Sequence, residues 1–185
     1  MSVPDGVDVL VVGAGLAGAQ TVAELRAAGF DGRVRVLGAE GVPPYDRPPL
    51  SKHLLDRTAP AWLADEIGVD LAALADEVRL DLPARGLRVG DGRPVVLTDE
   101  GPFAATDVVI ATGAHAVRVP GWEAALTLHT ARDAAALRAA LAPDARLVVV
   151  GAGWIGADVA GVAARAGHPV TVVEAAGTPS VRAIA

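Results

Sequence analysis

The pattern Gly-x-Gly-x-x-Gly occurs twice in this chain, each time between an apolar run and a helical one. Gly13, Gly15, Gly18 and the later Gly29 recur as Gly151, Gly153, Gly156 and Gly167, each 138 positions on, and Ala14 recurs as Ala152. A glycine turn entered from a strand and left into a helix suits the pyrophosphate of a dinucleotide. The first glycine permits the tight turn, the second keeps side chains away from the pyrophosphate, and the third lets the helix pack close to the strand. The phosphates then face the free N–H groups and positive end of the helix. One copy is a weak signal. Two copies, each with a strand before, a helix after, a glycine stop and a terminal acid, outweigh the reading of both as plain strand–helix turns.

Taken in order, the first unit reads as a strand over Val7 to Val12, a helix over Leu16 to Ala28, a stop at Gly29 and a strand over Arg33 to Leu37. Glu40, 22 residues after Gly18, is expected at the end of that strand, where a carboxylate can accept from ribose hydroxyls. A proline-stiffened loop from Gly41 to Lys52 follows, with a short helix near Leu50 to Leu55. Trp62 to Leu74 reads as one helix. Leu87 to Val89 and Val95 to Thr98 read as strands of a small antiparallel β-meander. Thr106 to Gly113 returns as a buried strand ending in the small-residue turn Ala111-Thr112-Gly113. The second copy has a helix over Ala131 to Leu141, a strand over Arg146 to Val150, the turn Gly151-Ala152-Gly153-Trp154-Ile155-Gly156, a helix to Ala166 and a strand over Val170 to Val173. Glu174 closes it, 18 residues after Gly156.

With only three Trp, one Tyr and two Phe in 185 residues, the core must be built from Val, Leu, Ile and Ala, which suits a parallel sheet covered on both faces. The net charge of -6 argues against a nucleic-acid partner. No apolar run approaches the roughly 20 residues that span a bilayer, and Met1 to Asp5 lacks the basic region of a signal peptide. A cytoplasmic protein without a membrane partner is expected. Cysteine is absent, so disulfides, thiolate metal sites and a redox-active Cys pair are excluded within the chain, and no metal site is expected. Lys52 is the single Lys beside 15 Arg. It is there by accident, or because a compact ammonium is needed.

The two glycine turns together with Pro44-Tyr45-Asp46-Arg47-Pro48-Pro49-Leu50-Ser51-Lys52 resemble the NADH:ferredoxin reductase family of flavoproteins, within the pyridine nucleotide–disulfide oxidoreductase superfamily. The resemblance covers nearly the whole chain. It implies an α/β fold of two Rossmann-like dinucleotide-binding units, FAD over 1–115 and NAD(P)H over 116–185, both incomplete, with the β-meander in the first. It puts Gly13, Gly15, Ala17 and Gly18 at the FAD pyrophosphate, Glu40 at the adenosine ribose, Arg47 and Lys52 at flavin-contacting positions and Ala111-Thr112-Gly113 beside FAD. Gly151, Gly153, Trp154, Ile155, Gly156 and Glu174 fall at the NAD(P)H site. Glu174, followed by Ala175-Ala176-Gly177 without an Arg, would bind the 2′-hydroxyl of NADH and repel a 2′-phosphate.

Two positions depart from the family pattern. The family's Lys pairs with an acid on the second glycine-turn helix, usually Glu, and here the acid is Asp158. Asp is one methylene shorter, so a direct bond and one through a bridging water are both open, and the alternative is a solvated helix-face acid. His129 stands where the family commonly has an Arg contacting FAD, and is a candidate ligand contact of lower charge.

The implied chemistry is hydride transfer from NADH C4 to flavin N5, then single-electron release to an iron–sulfur ferredoxin-type acceptor, with Lys52 and Asp158 as the catalytic pair. It needs no protein nucleophile. The family's enzymes are roughly twice this length, so an N-terminal part is expected, lacking the remaining NAD-site strands and the returning FAD-domain segment. The alternative is a non-catalytic dinucleotide-binding remnant, or a subunit completed by another chain.

Overall fold

The computed structural model describes residues 8–90 and 92–177; Val7, the expected start of the first strand, lies outside them. In chain order the elements are β1 (Asp8–Val12), α1 (Leu16–Ala27), β2 (Arg33–Leu37), β3 (Tyr45–Asp46), α2 (Pro49–Lys52), β4 (Ala61–Trp62), α3 (Leu63–Ile67), α4 (Leu71–Leu74) and β5 (Glu77–Arg79). Then come β6 (Ala84–Arg88), β7 (Val95–Thr98), β8 (Gly101–Ala104), β9 (Asp107–Ile110), α5 (Ala131–Ala140), β10 (Leu147–Val150), α6 (Trp154–Arg165) and β11 (Val170–Val173). They form two compact units. One comprises the chain up to Asp46 with Ala61–Ala114, the other Arg47–Pro60 with the chain from His115 on.

The first unit is built on a parallel sheet in the order β5-β2-β1-β9. Strand alternation sends Val9, Val11, Val34 and Val36 to one face, against Ala19 and Val22 of α1, Leu63 of α3 and Leu71 of α4. It sends Leu10, Val12 and Leu37 to the other, with Leu82, Val96 and Ala105. Coverage on both faces is why β1 reads as an apolar run rather than as an alternating strand.

A three-stranded antiparallel sheet, β6-β7-β8, covers that second face. Its first strand begins earlier than the sequence suggests, and its register shifts between Ala84 and Gly86. The third strand, β8, was missed because Pro102 lies inside it; a proline cannot donate to a ladder and masks a strand signal. Buried Arg35 of β2 fastens this sheet to the main one. Its guanidinium pairs with Asp8 at 2.5 Å, donates to the Ala104 carbonyl and lies over the Phe103 ring.

The single helix expected over Trp62 to Leu74 is two. Gly68 adopts φ 72 and ends α3 in the left-handed conformation, and the Asp70 carboxylate accepts from the Ala72 N–H at 2.9 Å to start α4.

In the second unit β10 and β11 form a parallel pair in the register Leu147–Val170 to Val150–Val173. Helix α6 packs inward through Val159, Val162 and Ala163. Val148 and Val150 are exposed and, with Val117, Trp122, Leu137 and Ile155, line an apolar pocket of about 540 Å³. Helix α5 opens on a capping box in which Thr130 and Asp133 exchange side-chain and backbone hydrogen bonds. None of the described helices is long and apolar enough to cross a membrane.

Candidate functional site

Each glycine turn is built the same way. The Gly13 N–H donates to the Leu37 carbonyl at 2.8 Å, and the Gly151 N–H to the Val173 carbonyl at 2.8 Å. A Cβ on Gly18 would stand 1.9 Å from the Gly13 carbonyl oxygen, and one on Gly156 would stand 2.1 Å from that of Gly151. The third glycine of each motif is therefore required by the protein's own packing. Gly13 is required twice over: its φ is 115, and a Cβ would meet the Ala111 carbonyl oxygen at 2.1 Å. The exit of β9, Ala111-Thr112, thus backs directly onto the first turn.

The middle glycines differ. Gly15 and Gly153 have extended backbones, at φ -82 and φ -73, and a Cβ on either would meet nothing within 4 Å. Neither a positive φ nor packing requires a glycine there. Each is the N-cap of a 12-residue helix without a side-chain cap or an acid in its first turn. Helix α5, with its capping box, shows the contrast. The helix starts at Gly15 and Gly153 are bare of side chains in the manner that favours anions. Ala17, Thr112 and Gly113 are exposed beside the first turn, and Trp154 and Ile155 are exposed beside the second.

The two acids are not structural counterparts. Val12 pairs with Leu37 and Val150 with Val173, so the ladder aligns Glu174 with Gly38. Glu40 lies three residues past β2 rather than at its end. At Gly38 a Cβ would come within 2.9 Å of the Ala14 Cβ, so no acid can stand there. Glu174 instead turns its carboxylate onto its own unit, accepting from the Ala152 N–H at 2.7 Å and the Ala176 N–H at 2.9 Å. Glu40 accepts from the Tyr45 hydroxyl at 2.5 Å.

Arg47, Lys52 and His129 belong to the second unit. Arg47 donates to the His129 carbonyl at 2.6 Å, and the His129 ring meets that of His115 edge-on, with centroids 6.3 Å apart. The Lys52 ammonium donates to Asp158 Oδ2 at 2.9 Å, so the pair is direct. The shorter reach of Asp is made up by α2 packing on α6. The buried Ser51 hydroxyl donates to the same oxygen at 3.0 Å. The Lys52 hydrogen bond, with help from Ser51, holds the Asp158 carboxyl below its ordinary range. Arg138 of α5 donates to the carbonyls of Leu54, Arg57 and Thr58 and holds the end of the 47–60 segment.

Tyr45, Ser51 and Arg138 escaped the sequence reading. The first two lie inside the Pro44–Lys52 motif, where adjacency to Arg47 and Lys52 was the available signal. Nothing in the sequence marked Arg138 among its 15 arginines. Among the described residues no group of His, Asp and Glu is arranged to hold a metal ion.

Comparison with known proteins bears on these sites. Residues 7–184 match the family described as pyridine nucleotide-disulphide oxidoreductase. The chain is 35% identical over 187 residues to the ferredoxin–NAD(+) reductase subunit of the benzene 1,2-dioxygenase system of Pseudomonas putida, covering 95% of this chain and 44% of that protein. The chain thus spans less than half the length of that relative. Among solved structures it matches Fdr9, with a TM-score of 0.87 at 43% identity, over 96% of this chain and 44% of that one. It also matches the ferredoxin reductase for the CYP199A2 system of Rhodopseudomonas palustris, with a TM-score of 0.83 at 32% identity, over 95% of this chain and 44% of that one. These relatives carry the likeness that the two glycine turns and the Pro44–Lys52 motif imply.

Proposed function

Because the chain belongs to the pyridine nucleotide-disulphide oxidoreductase family, we propose that its first glycine turn takes FAD and its second NADH. On this reading it serves an oxidoreductase that passes electrons from NADH through flavin to a ferredoxin-type iron–sulfur protein. The observation that carries the reading is the pair Gly15 and Gly153. Both are glycines that the protein's own packing leaves unexplained, with open space where a Cβ would stand. A pyrophosphate approaching the backbone supplies the missing reason.

The residues present fit the two groups. The start of α1 offers helix amides without a side-chain cap, and that of α6 does the same. Glu40 accepts from hydroxyls of the adenosine ribose, and the small turn Ala111-Thr112-Gly113 lets backbone come near the first cofactor. Arg47, Lys52 and His129 stay assigned to flavin contact on the family likeness alone. Asp158 accepts from the Lys52 ammonium and sets it in one place.

Glu174 gives the preference for NADH over NADPH. Its carboxylate is held by two backbone amides, accepts from a 2′-hydroxyl, and repels a 2′-phosphate. A bound flavin supplies the chemistry that no side chain here can: it accepts a hydride as a pair of electrons and gives electrons up one at a time. The relatives' names point to ferredoxin as the acceptor.

The test is spectroscopic. The purified chain is mixed with FAD, freed of unbound flavin and titrated with NADH without oxygen. The reading predicts a yellow protein that bleaches. A colourless protein, or a yellow one that NADH leaves unchanged, contradicts it.

A further inference from the structure

The Tyr45 hydroxyl donates to Glu40 Oε2 over 2.5 Å, the short distance of a charge-assisted O–H···O⁻ bond. The phenol is a fixed donor. Its residue is 4% exposed, and its ring packs edge-on against Trp62, with centroids 6.1 Å apart and planes at 87°. The antiparallel pair β3–β4 sets Tyr45 opposite Trp62, and the Leu63 N–H donates to the Pro44 carbonyl at 2.9 Å. The backbone around Glu40 is tied from the other side: Ala39 bridges Asp81, and the Gly41 N–H donates to the Leu80 carbonyl at 2.7 Å.

We infer that Tyr45 is a positioning residue, which orients the Glu40 carboxylate for the vicinal hydroxyls of an adenosine ribose. The inference rests on the reading of Glu40 as the ribose acceptor in the first unit. A glutamate has three side-chain torsions and a carboxylate with several acceptor sites. Fixing one oxygen against a buried phenol sets the direction of the others before ligand arrives, and removes part of the ordering cost of binding. Glu174 reaches the same end differently, through backbone amides of its own turn. Each acid is thus held by a partner, and the first by a side chain that can be removed without touching the glycine turn.

The experiment is a binding cycle on the intact chain, with flavin fluorescence as the readout. FAD and FMN, which lacks the adenosine, are titrated into wild type, Tyr45→Phe, Glu40→Ala and the double variant. Tyr45→Phe keeps the ring on Trp62 and removes only the hydroxyl. The expected result is FAD binding weakened about fivefold in Tyr45→Phe, on the scale of ordering one side chain, with no change for FMN. Tyr45→Phe should add nothing in the Glu40→Ala background. FAD and FMN weakened alike, a full loss persisting in that background, or unchanged FAD binding in Tyr45→Phe beside weakened binding in Glu40→Ala would each overturn the inference alone. Unchanged FAD binding in Glu40→Ala overturns the ribose assignment and the inference with it.

Discussion

Asp158 Oδ2 accepts from both the Lys52 ammonium, at 2.9 Å, and the Ser51 hydroxyl, at 3.0 Å. Two donors on one oxygen favour the charged form, and the Asp158 carboxyl titrates below its ordinary 3.8. A carboxyl depressed in the folded state stabilises the fold above its unfolded value, and that contribution disappears as the pH falls through the folded value. The pair is half-exposed, so its contribution to stability is small. Carbon-13 NMR of the Asp158 carboxyl should give a midpoint below 3.8 in wild type, rising in Lys52→Met. Equal midpoints in the two proteins would refute the pairing in solution.

The glycines of each motif should separate by stability. Gly18→Ala and Gly156→Ala drive a Cβ to 1.9 Å and 2.1 Å from a carbonyl oxygen and are expected to cost at least about 1–3 kcal/mol. Gly15→Ala and Gly153→Ala meet open space and should cost about 1 kcal/mol or less, through a poorer N-cap. Urea unfolding of the four variants checks this. Similar losses in all four would mean that the middle glycines serve the fold after all.

Arg35 is a buried cation with fixed partners, Asp8 and the Ala104 carbonyl. Arg35→Met strands both and is predicted to cost about 3–5 kcal/mol, while Asp8→Leu together with Arg35→Met recovers a large part of the loss. Thermal or denaturant unfolding reads the difference. A single variant as stable as wild type would show that the ion pair does not fasten the β-meander to the sheet.

Arg138 is the clamp on the end of the 47–60 segment, through the carbonyls of Leu54, Arg57 and Thr58. Arg138→Ala should speed trypsin cleavage after Lys52 and Arg57 several-fold and raise amide exchange across 53–58, with the cleavage pattern of the first unit unchanged. Cleavage at the wild-type rate would show that the segment is held by its other contacts.

The repeat was the most legible part of the fold. Gly13 to Gly18 and Gly151 to Gly156 fixed two strand–turn–helix units, and β2 and β11 span the stretches expected as strands, Arg33 to Leu37 and Val170 to Val173. What escaped was set by tertiary contacts. Strands β3, β4 and β5 are two or three residues long, too short to show a period, and exist because a neighbour pairs with them. Pro102 hid β8, and Gly68 split a helix whose apolar pattern ran on through it. In the site, Glu40 and Glu174 looked equivalent by position, but the shorter connection in the second copy aligns Glu174 with Gly38. The direct Lys52–Asp158 bond depends on how closely α2 meets α6, a distance that side-chain length alone does not determine.

The central claim is that the two glycine turns are separate sites for different dinucleotides. It is tested most directly by titrating FAD and NADH separately into wild type, Gly15→Ala and Gly153→Ala. The account predicts that Gly15→Ala weakens FAD at least about tenfold and spares NADH, and that Gly153→Ala does the reverse, as expected where a methyl blocks the approach of a pyrophosphate to the backbone. Loss of both ligands in either variant, or of neither in both, would contradict it.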